Sequence, residues 1–285
     1  LEKKSFDVLA NNGILSCKMA MEAPIVQPWE VEKVKAFNSK YSDYGSAFFL
    51  NKLVFTSSRD TGNFIQRKHK WTNQHFTNLY ASDLGEELNP GKVDKFSKKV
   101  KSRFHESSAI FSKDGKTMYF TRNNFLDGKK GKSGEKITLI KIYKASLENE
   151  EWDKITELPF NSDSYSVAHP ALSPDGKTMY FVSDMPGTIG QSDLFKVQLN
   201  EDGSFGTPEN LGRGINTEGK ETFPFVTDED ELYFASDGHP GLGGLDVFVS
   251  KMNPDGSFGE IQNLGDGVNS PKDDFAYLID TKSRR

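Results

Sequence analysis

The chain has 285 residues and a formal net charge of −5, and its 25 glycines, 12 prolines and 12% aromatic content suit many short strands joined by turns. The acidic balance argues against a nucleic-acid binder, and no run approaches the ~18 apolar residues that would span a membrane. One cysteine, Cys17, excludes an intramolecular disulfide and a cysteine-built zinc site.

Residues 1–28 read as a lead-in and connector. Phe6, Val8 and Leu9 predict a helix that ends at Asn11-Asn12-Gly13, where Asn and Gly favour the C-terminal cap, and Pro24 and Pro28 frame an extended stretch. Ile14-Leu15-Ser16-Cys17 has the look of a lipoprotein cleavage site, but no apolar stretch precedes it, and the start reads as an internal cut from a longer protein. Residues 29–37, WEVEKVKAF, alternate apolar and charged residues and predict a strand with one wet face. From there to residue 285 the chain reads as one β domain.

That domain is organised around SPDGKTMYFVSD at 173–184, which recurs as SKDGKTMYFTRNN at 112–124, TDEDELYFASDG at 227–238 and, more loosely, NKLVFTSSRD at 51–60. In the turn, Pro174 presets φ, Asp175 suits the next position, and Gly176 takes the left-handed conformation that folds the hairpin back. Met179-Tyr180-Phe181-Val182 is apolar on both faces, as a strand covered by sheets on either side must be.

Four units follow, at about residues 44–100, 105–162, 168–217 and 221–270. The first predicts strands at 46–50, 53–57, 78–82 and 93–96; the second at 109–112, 117–122, 139–146 and 153–158. The fourth repeats the third at an offset of 53 residues: Tyr180 maps to Tyr233, Asp193 to Asp246, and DGSFG at 202–206 to DGSFG at 255–259. A fifth unit starts with a strand at 274–280. Four strands per unit at this period predict an all-β β-propeller of four-stranded blades, four of them complete, with partial strands at 29–37 and 274–280. A single blade cannot cover both its faces, so neighbours must stack and the ring must close, with strands from residues 1–37, from beyond residue 285 or from another chain.

The SPDGKTMYF hairpins resemble PD40 (WD40-like) repeats of the TolB type, which implies an intact ring of six blades, with five as the alternative. The longer strings AHPALSPDGKTMYFVSDMPGTIGQSDLFKV and LYFASDGHPGLGGLDVFVSK are similar to the OmpA-family PD40 proteins of Bacteroidetes, which include the PorE-type component of the type IX secretion system. The resemblance covers about residues 38–280. It implies a periplasmic protein associated with the outer membrane. Its implied partners are barrels of the PorP/SprF kind, secretion or gliding components, and peptidoglycan through domains not recognisable in this sequence.

Several residues are candidates for a site. Asp184 with Asp193, and Asp237 with Asp246, flank Gly/Pro loops as calcium-binding carboxylates do; alternatively each accepts backbone N–H bonds and pins its hairpin. His105, His169 and His239 lie at unit starts or loops, where partner-binding groups collect. Arg67, Lys68 and Lys70 beside Trp71 suit a protein or anionic-glycan contact with Trp71 as anchor, or a solvated loop. The loop 123–138, with the Gly/Lys stretch 127–136 inside it, reads as flexible. Residues 92–144 carry 15 Lys/Arg against 5 Asp/Glu, whereas residues 145–285 carry 10 against 26. No metalloprotease, serine-hydrolase or sialidase motif occurs, and no cofactor is expected. The resulting expectation is a non-enzymatic scaffold or interaction propeller. A glycan- or peptide-binding propeller is the alternative, and a hydrolase whose residues converge only in three dimensions comes third.

Overall fold

Each copy of the apolar second strand lies inside a four-stranded antiparallel sheet. The computed structural model describes residues 2–22, 33–59, 69, 73–85 and 89–281. After helix α1 (Glu2–Glu22), blade one is β1 (Asp43–Phe49), β2 (Lys52–Ser57), β3 (Asn78–Leu84) and β4 (Pro90–Lys95). Blade two is β5 (Glu106–Phe111), β6 (Thr117–Asn123), β9 (Ile140–Glu148) and β10 (Glu151–Glu157), with a small hairpin β7 (Phe125–Leu126) and β8 (Lys129–Lys130) inserted. Blade three is β11 (Val167–Leu172), β12 (Thr178–Ser183), β13 (Asp193–Gln198) and β14 (Glu209–Asn210). Blade four is β15 (Glu221–Val226), β16 (Glu231–Ser236), β17 (Asp246–Lys251) and β18 (Gln262–Asn263). In every sheet the strands follow chain order, the up-and-down meander of a propeller blade.

The chain divides into two compact units, residues 33–170 and residues 1–32 with 171–285. In the first, Phe49, Val54, Met118, Phe120, Tyr143 and Trp152 form a buried core. In the second, Tyr180, Leu194, Ile215, Leu232, Phe234 and Phe248 do the same. The second strands are covered on both faces, since Met179, Tyr180, Phe181 and Val182 are all buried. Tyr119, Tyr180 and Tyr233 hold the same place, third in β6, β12 and β16.

The hairpin turns follow from their residues. Gly115 and Gly176 have φ of 68° and 70°, and their N–H groups donate to Ser112 and Ser173 O at 2.8 Å. Each first strand also carries a left-handed residue, at Gly45 (φ 61°), Ser108 (45°), His169 (51°) and Phe223 (48°). In β1, β5 and β15 it falls where the register with the second strand shifts. The segment expected to be a flexible loop contains the β7–β8 hairpin, turned at Asp127 (φ 49°) and Gly128 (φ 79°). Asp-Gly is the residue pair such two-residue turns demand.

Three expectations are corrected. Helix α1 does not stop at Gly13 but runs to Glu22. Asn12 does not cap its own backbone: its side chain donates to Gly238 O at 2.6 Å, a tertiary contact that outweighs the local stop signal. Residues 34–37 form a turn rather than a strand, and the rest of that expected strand, 29–32, lies outside the described residues. The carbonyls of Ala36 and Phe37 accept from Arg59 instead of from a neighbouring strand. Residues 274–280 join no ladder among the described residues.

Two glycines sit where one repeat meets the lead-in of the next. A Cβ on Gly190 would strike the carbonyl oxygens of Thr217 and Gly219, and a Cβ on Gly243, 53 residues on, those of Ser270 and Lys272. These oxygens belong to backbone and cannot swing away. Gly190→Ala is therefore expected to destabilise the fold by about 1–3 kcal/mol in urea unfolding, the usual range for forced overpacking. Gly134→Ala, which meets nothing within 4 Å, is expected to change it little.

Candidate functional site

In blades three and four, the loops between second and third strands and the lead-ins to the next repeat form a rim. Asp193 heads β13 and closes the loop before it by accepting from Ile189 N (2.7 Å), Gly190 N (3.2 Å) and Asn210 Nδ2 (2.6 Å). Asp246 does the same for the next loop, accepting from Leu242 N (3.0 Å) and Gly243 N (2.9 Å). Asp237 Oδ1 accepts from Lys220 N at 2.6 Å, and Asp184 is exposed. The carboxylates of Asp193 and Asp246 thus face N–H donors, the arrangement that pins a hairpin. Among the described residues no group of three or more His, Cys, Asp or Glu is placed to hold a metal ion.

Helix α1 lies across this rim. Asn12 reaches Gly238 O, and Ser16 Oγ accepts from Gly241 N at 3.0 Å while donating to Asn12 O at 2.9 Å. Between helix and rim is a pocket of about 460 Å³, lined on the rim side by Gln191, Gly219, Asp237, His239 and Leu242. His239 donates from Nε2 to Ile215 O at 2.7 Å and packs against Phe234 and Phe248, and burial lowers its pKa. The outer side of α1 leaves Val8, Ile14 and Leu15 exposed at 39%, 56% and 47%. Cys17 is also exposed.

His105 and His169 belong to the other compact unit. In the unit of residues 33–170, Thr77 N donates to His105 Nδ1 at 3.2 Å, which leaves the ring proton on Nε2. Burial and the neighbouring His69, whose ring centroid is 5.2 Å away, push His105 down to about 4. His169 Nδ1 and Ser108 Oγ are 2.8 Å apart, His169 N donates to Thr121 Oγ1 at 2.8 Å, and burial pushes His169 down to about 3. Arg67, Lys68, Lys70 and Trp71 lie outside the described residues.

The sequence reading missed a set of acids at the head of the first strands. Asp43 accepts from Ser39 N (2.6 Å) and Ser57 Oγ (2.5 Å), and forms an ion pair with Arg59 at 2.8 Å. Glu106 accepts from Ser102 N (2.9 Å) and pairs with Arg122 at 3.3 Å. Glu221 accepts from Thr217 N (2.9 Å), Thr217 Oγ1 (2.6 Å) and Ser236 Oγ (2.7 Å). Asp274 accepts from Ser270 N (2.5 Å) and Ser270 Oγ (2.8 Å). The signal was a Ser or Thr four residues before an acid, at 39/43, 102/106, 217/221 and 270/274.

No protein-family model and no curated protein matches this chain. Similar solved structures include a puromycin hydrolase at 13% identity, covering 79% of this chain and 39% of that one, TM-score 0.43. A thermostable family-43 glycoside hydrolase shares 12%, over 77% and 73%, TM-score 0.45. A TolB-type protein from Agrobacterium tumefaciens shares 17%, over 82% and 86%, TM-score 0.41. The chain spans 39% of the length of the puromycin hydrolase. At these identities the likeness is one of fold: this is an all-β chain with the four-stranded blades of a β-propeller, and its structural neighbours include a TolB-type propeller. The expectation that the chain is not an enzyme is corrected by the same comparison. The solved structures similar to it include hydrolases. No helix among the described residues is long and apolar enough to cross a membrane.

The acids give a pH dependence. Burial pushes Glu221 from 4.5 up to about 7, despite its three hydrogen bonds. Folded Glu221 therefore holds a proton that the unfolded chain has released. This contribution to stability is complete below pH 4.5 and is lost as pH rises through about 7. In urea unfolding, Glu221→Gln is expected to gain on the wild type by about 3 kcal/mol between pH 4.5 and 7.5. A difference that stays flat over that range would show the carboxyl to be ionised throughout.

Proposed function

We propose that this chain is a protein-interaction propeller of a bacterial cell envelope, which holds a partner at the rim of blades three and four. The carrying observation is the seat of α1. A helical segment lies on that rim, held by side-chain-to-backbone bonds from Asn12 and Ser16, and it turns Val8, Ile14 and Leu15 outward. Exposed apolar side chains beside an open pocket suit a docking surface. The periplasmic setting, and partners such as outer-membrane barrels and secretion or gliding components, rest on the resemblance of the repeats to the PD40 proteins. The basic segment 92–144 and the acidic segment 145–285 offer partners surfaces of opposite sign, which favours oriented encounter.

A photo-crosslinking residue at Ile14, in cells of the native organism, is expected to capture an outer-membrane or periplasmic protein. The same residue at Lys113, on the exposed turn between β5 and β6, is expected not to. Adducts with cytoplasmic proteins alone, or equal capture from both positions, would refute the proposal.

A further inference from the structure

We infer that the β7–β8 hairpin of blade two, with Arg103 and Phe104 beside it, is a docking surface for an acidic polypeptide segment of a partner. The surface lies in the unit of residues 33–170, and the inference does not depend on the proposed function.

The hairpin is more chain than a blade needs. Blades three and four pass from second to third strand through residues 184–192 and 237–245, whereas blade two takes residues 124–139 for the same step. The added residues are built into the blade. Asn124 N donates to Leu139 O at 2.8 Å and closes the base, and Gly131 N donates to Asn124 O at 2.9 Å. Phe125 N donates to the Tyr143 hydroxyl at 3.2 Å, and Asn124 Nδ2 to Asp163 Oδ1 at 2.6 Å. Past the hairpin, Ser133 N donates to Ile137 O at 2.8 Å and Ile137 N to Ser133 Oγ at 3.2 Å. Leu126 packs against the buried core, while Lys129, Lys130, Lys132 and Lys136 are exposed. An ordered insertion that carries its charges outward serves contact more than cover.

Those charges are not neutralised. Among the described residues, neither these four lysines nor the exposed Arg103 forms an ion pair. The carboxylates of blade two that do form ion pairs serve other cations. Glu157 and Asp163 meet Lys141, Glu151 and Asp153 meet Lys99, Glu148 meets Lys154, and Glu106 meets Arg122. The insertion itself holds only two acids, Asp127 and Glu135. One end of blade two therefore keeps an excess of positive charge on a chain whose net charge is −5.

Two phenylalanines place the cations. Lys130 Nζ lies 5.0 Å from the centre of the Phe104 ring, and the Arg103 guanidinium 5.6 Å from that of Phe125. The rings are 5.1 Å apart and inclined at 60°. A ring holds a cation without neutralising it, so the N–H groups stay available and the side chain has less freedom to lose on binding. The same arrangement selects the partner. Ligands that stack, such as nucleic-acid bases, need open ring faces. Here a cation lies over each ring and the two rings share no plane. What is presented outward is ammonium and guanidinium, the groups that pair with carboxylates. Ile137, next in the chain to Lys136 and 52% exposed, suits an apolar side chain among the acids.

The test titrates the full chain into a fluorescein-labelled synthetic peptide of repeating Glu-Glu-Leu and follows anisotropy. Saturable binding is expected, weakening as ionic strength rises from about 0.05 to 0.3 M. The double variant Lys129→Glu, Lys130→Glu is expected to bind at least about tenfold more weakly. Lys113→Glu with Lys116→Glu makes the same change of charge on the exposed turn at the other end of β5 and β6, and is expected to bind as the wild type does. Equal losses in the two variants overturn the inference, as does equal binding of a Gln-Gln-Leu peptide or no binding at millimolar peptide. Tighter binding of anionic-lipid vesicles, or of single-stranded DNA or a heparin fragment of matched charge, through Lys129 and Lys130 gives the surface to another polyanion and overturns it too. So does self-association of the protein alone that the Lys129/Lys130 variant abolishes, since a second copy is then the occupant.

Discussion

The burial of the second strands is the constraint on which the structure depends. Phe120, Phe181 and Phe234 are at most 1% exposed, and their neighbours Met118, Met179 and Leu232 are fully buried. A strand that is apolar on both faces needs cover on both sides, which one sheet cannot give itself. Repetition is therefore a physical requirement of the TMYF hairpin. The first strand of each repeat meets that requirement where the contacts are described: β5 lies against β1, β2 and β3, and β15 lies against β12 and β13.

Apolar cover sets no register by itself, and the polar groups supply it. In blades three and four the same devices recur 53 residues apart. Asp193 and Asp246 close their loops, and Asn216 and Asn269 each bracket one residue of the third strand, at Leu194 and Val247, through both its N–H and its C=O. Gly190 and Gly243 let those loops touch the next lead-in. These bonds are buried, so a strand displaced by one residue would leave several donors unsatisfied, at about 1–3 kcal/mol each. The rim is then stiff at its base, and α1 and the pocket beneath it rest on backbone carbonyls and amides whose positions are set by the sheets.

What could be read in the sequence was what repeats loudly. DGKTMYF in two copies and the 53-residue offset between blades three and four led directly to the second strands, the turns and the blade. The acids at the head of the first strands were equally regular but quieter, because residue type varies between Asp and Glu and blade three has Val167 there. The Asp127-Gly128 hairpin was hidden by the lysines around it. At α1 the local signals pointed the wrong way. Asn-Asn-Gly is a good helix end in isolation, and only the partner at Gly238 makes Asn12 a mid-helix residue. Neither Asn12 nor Ser16 carries a motif, since both act through atoms more than 220 residues away in the chain.

The head-of-strand acids also explain why the repeats tolerate so much variation. One position is filled by Asp43 with a serine and an arginine, by Glu106 with an arginine, and by Glu221 with two hydroxyls. What is kept is the geometry: a carboxyl bound to the residue four before it and, in these three blades, to the last residues of the second strand. Burying such a group is costly, as the upward push on Glu106 and Glu221 shows, and a packed apolar side chain would avoid the cost. An apolar group, however, would accept the second strand in either neighbouring register. The acid accepts it in one, because only there does a hydroxyl or guanidinium arrive within hydrogen-bond reach. Stability is given up at the heads of blades two and four and alignment is gained along their lengths, and the positions of the loops at the strand ends depend on that alignment.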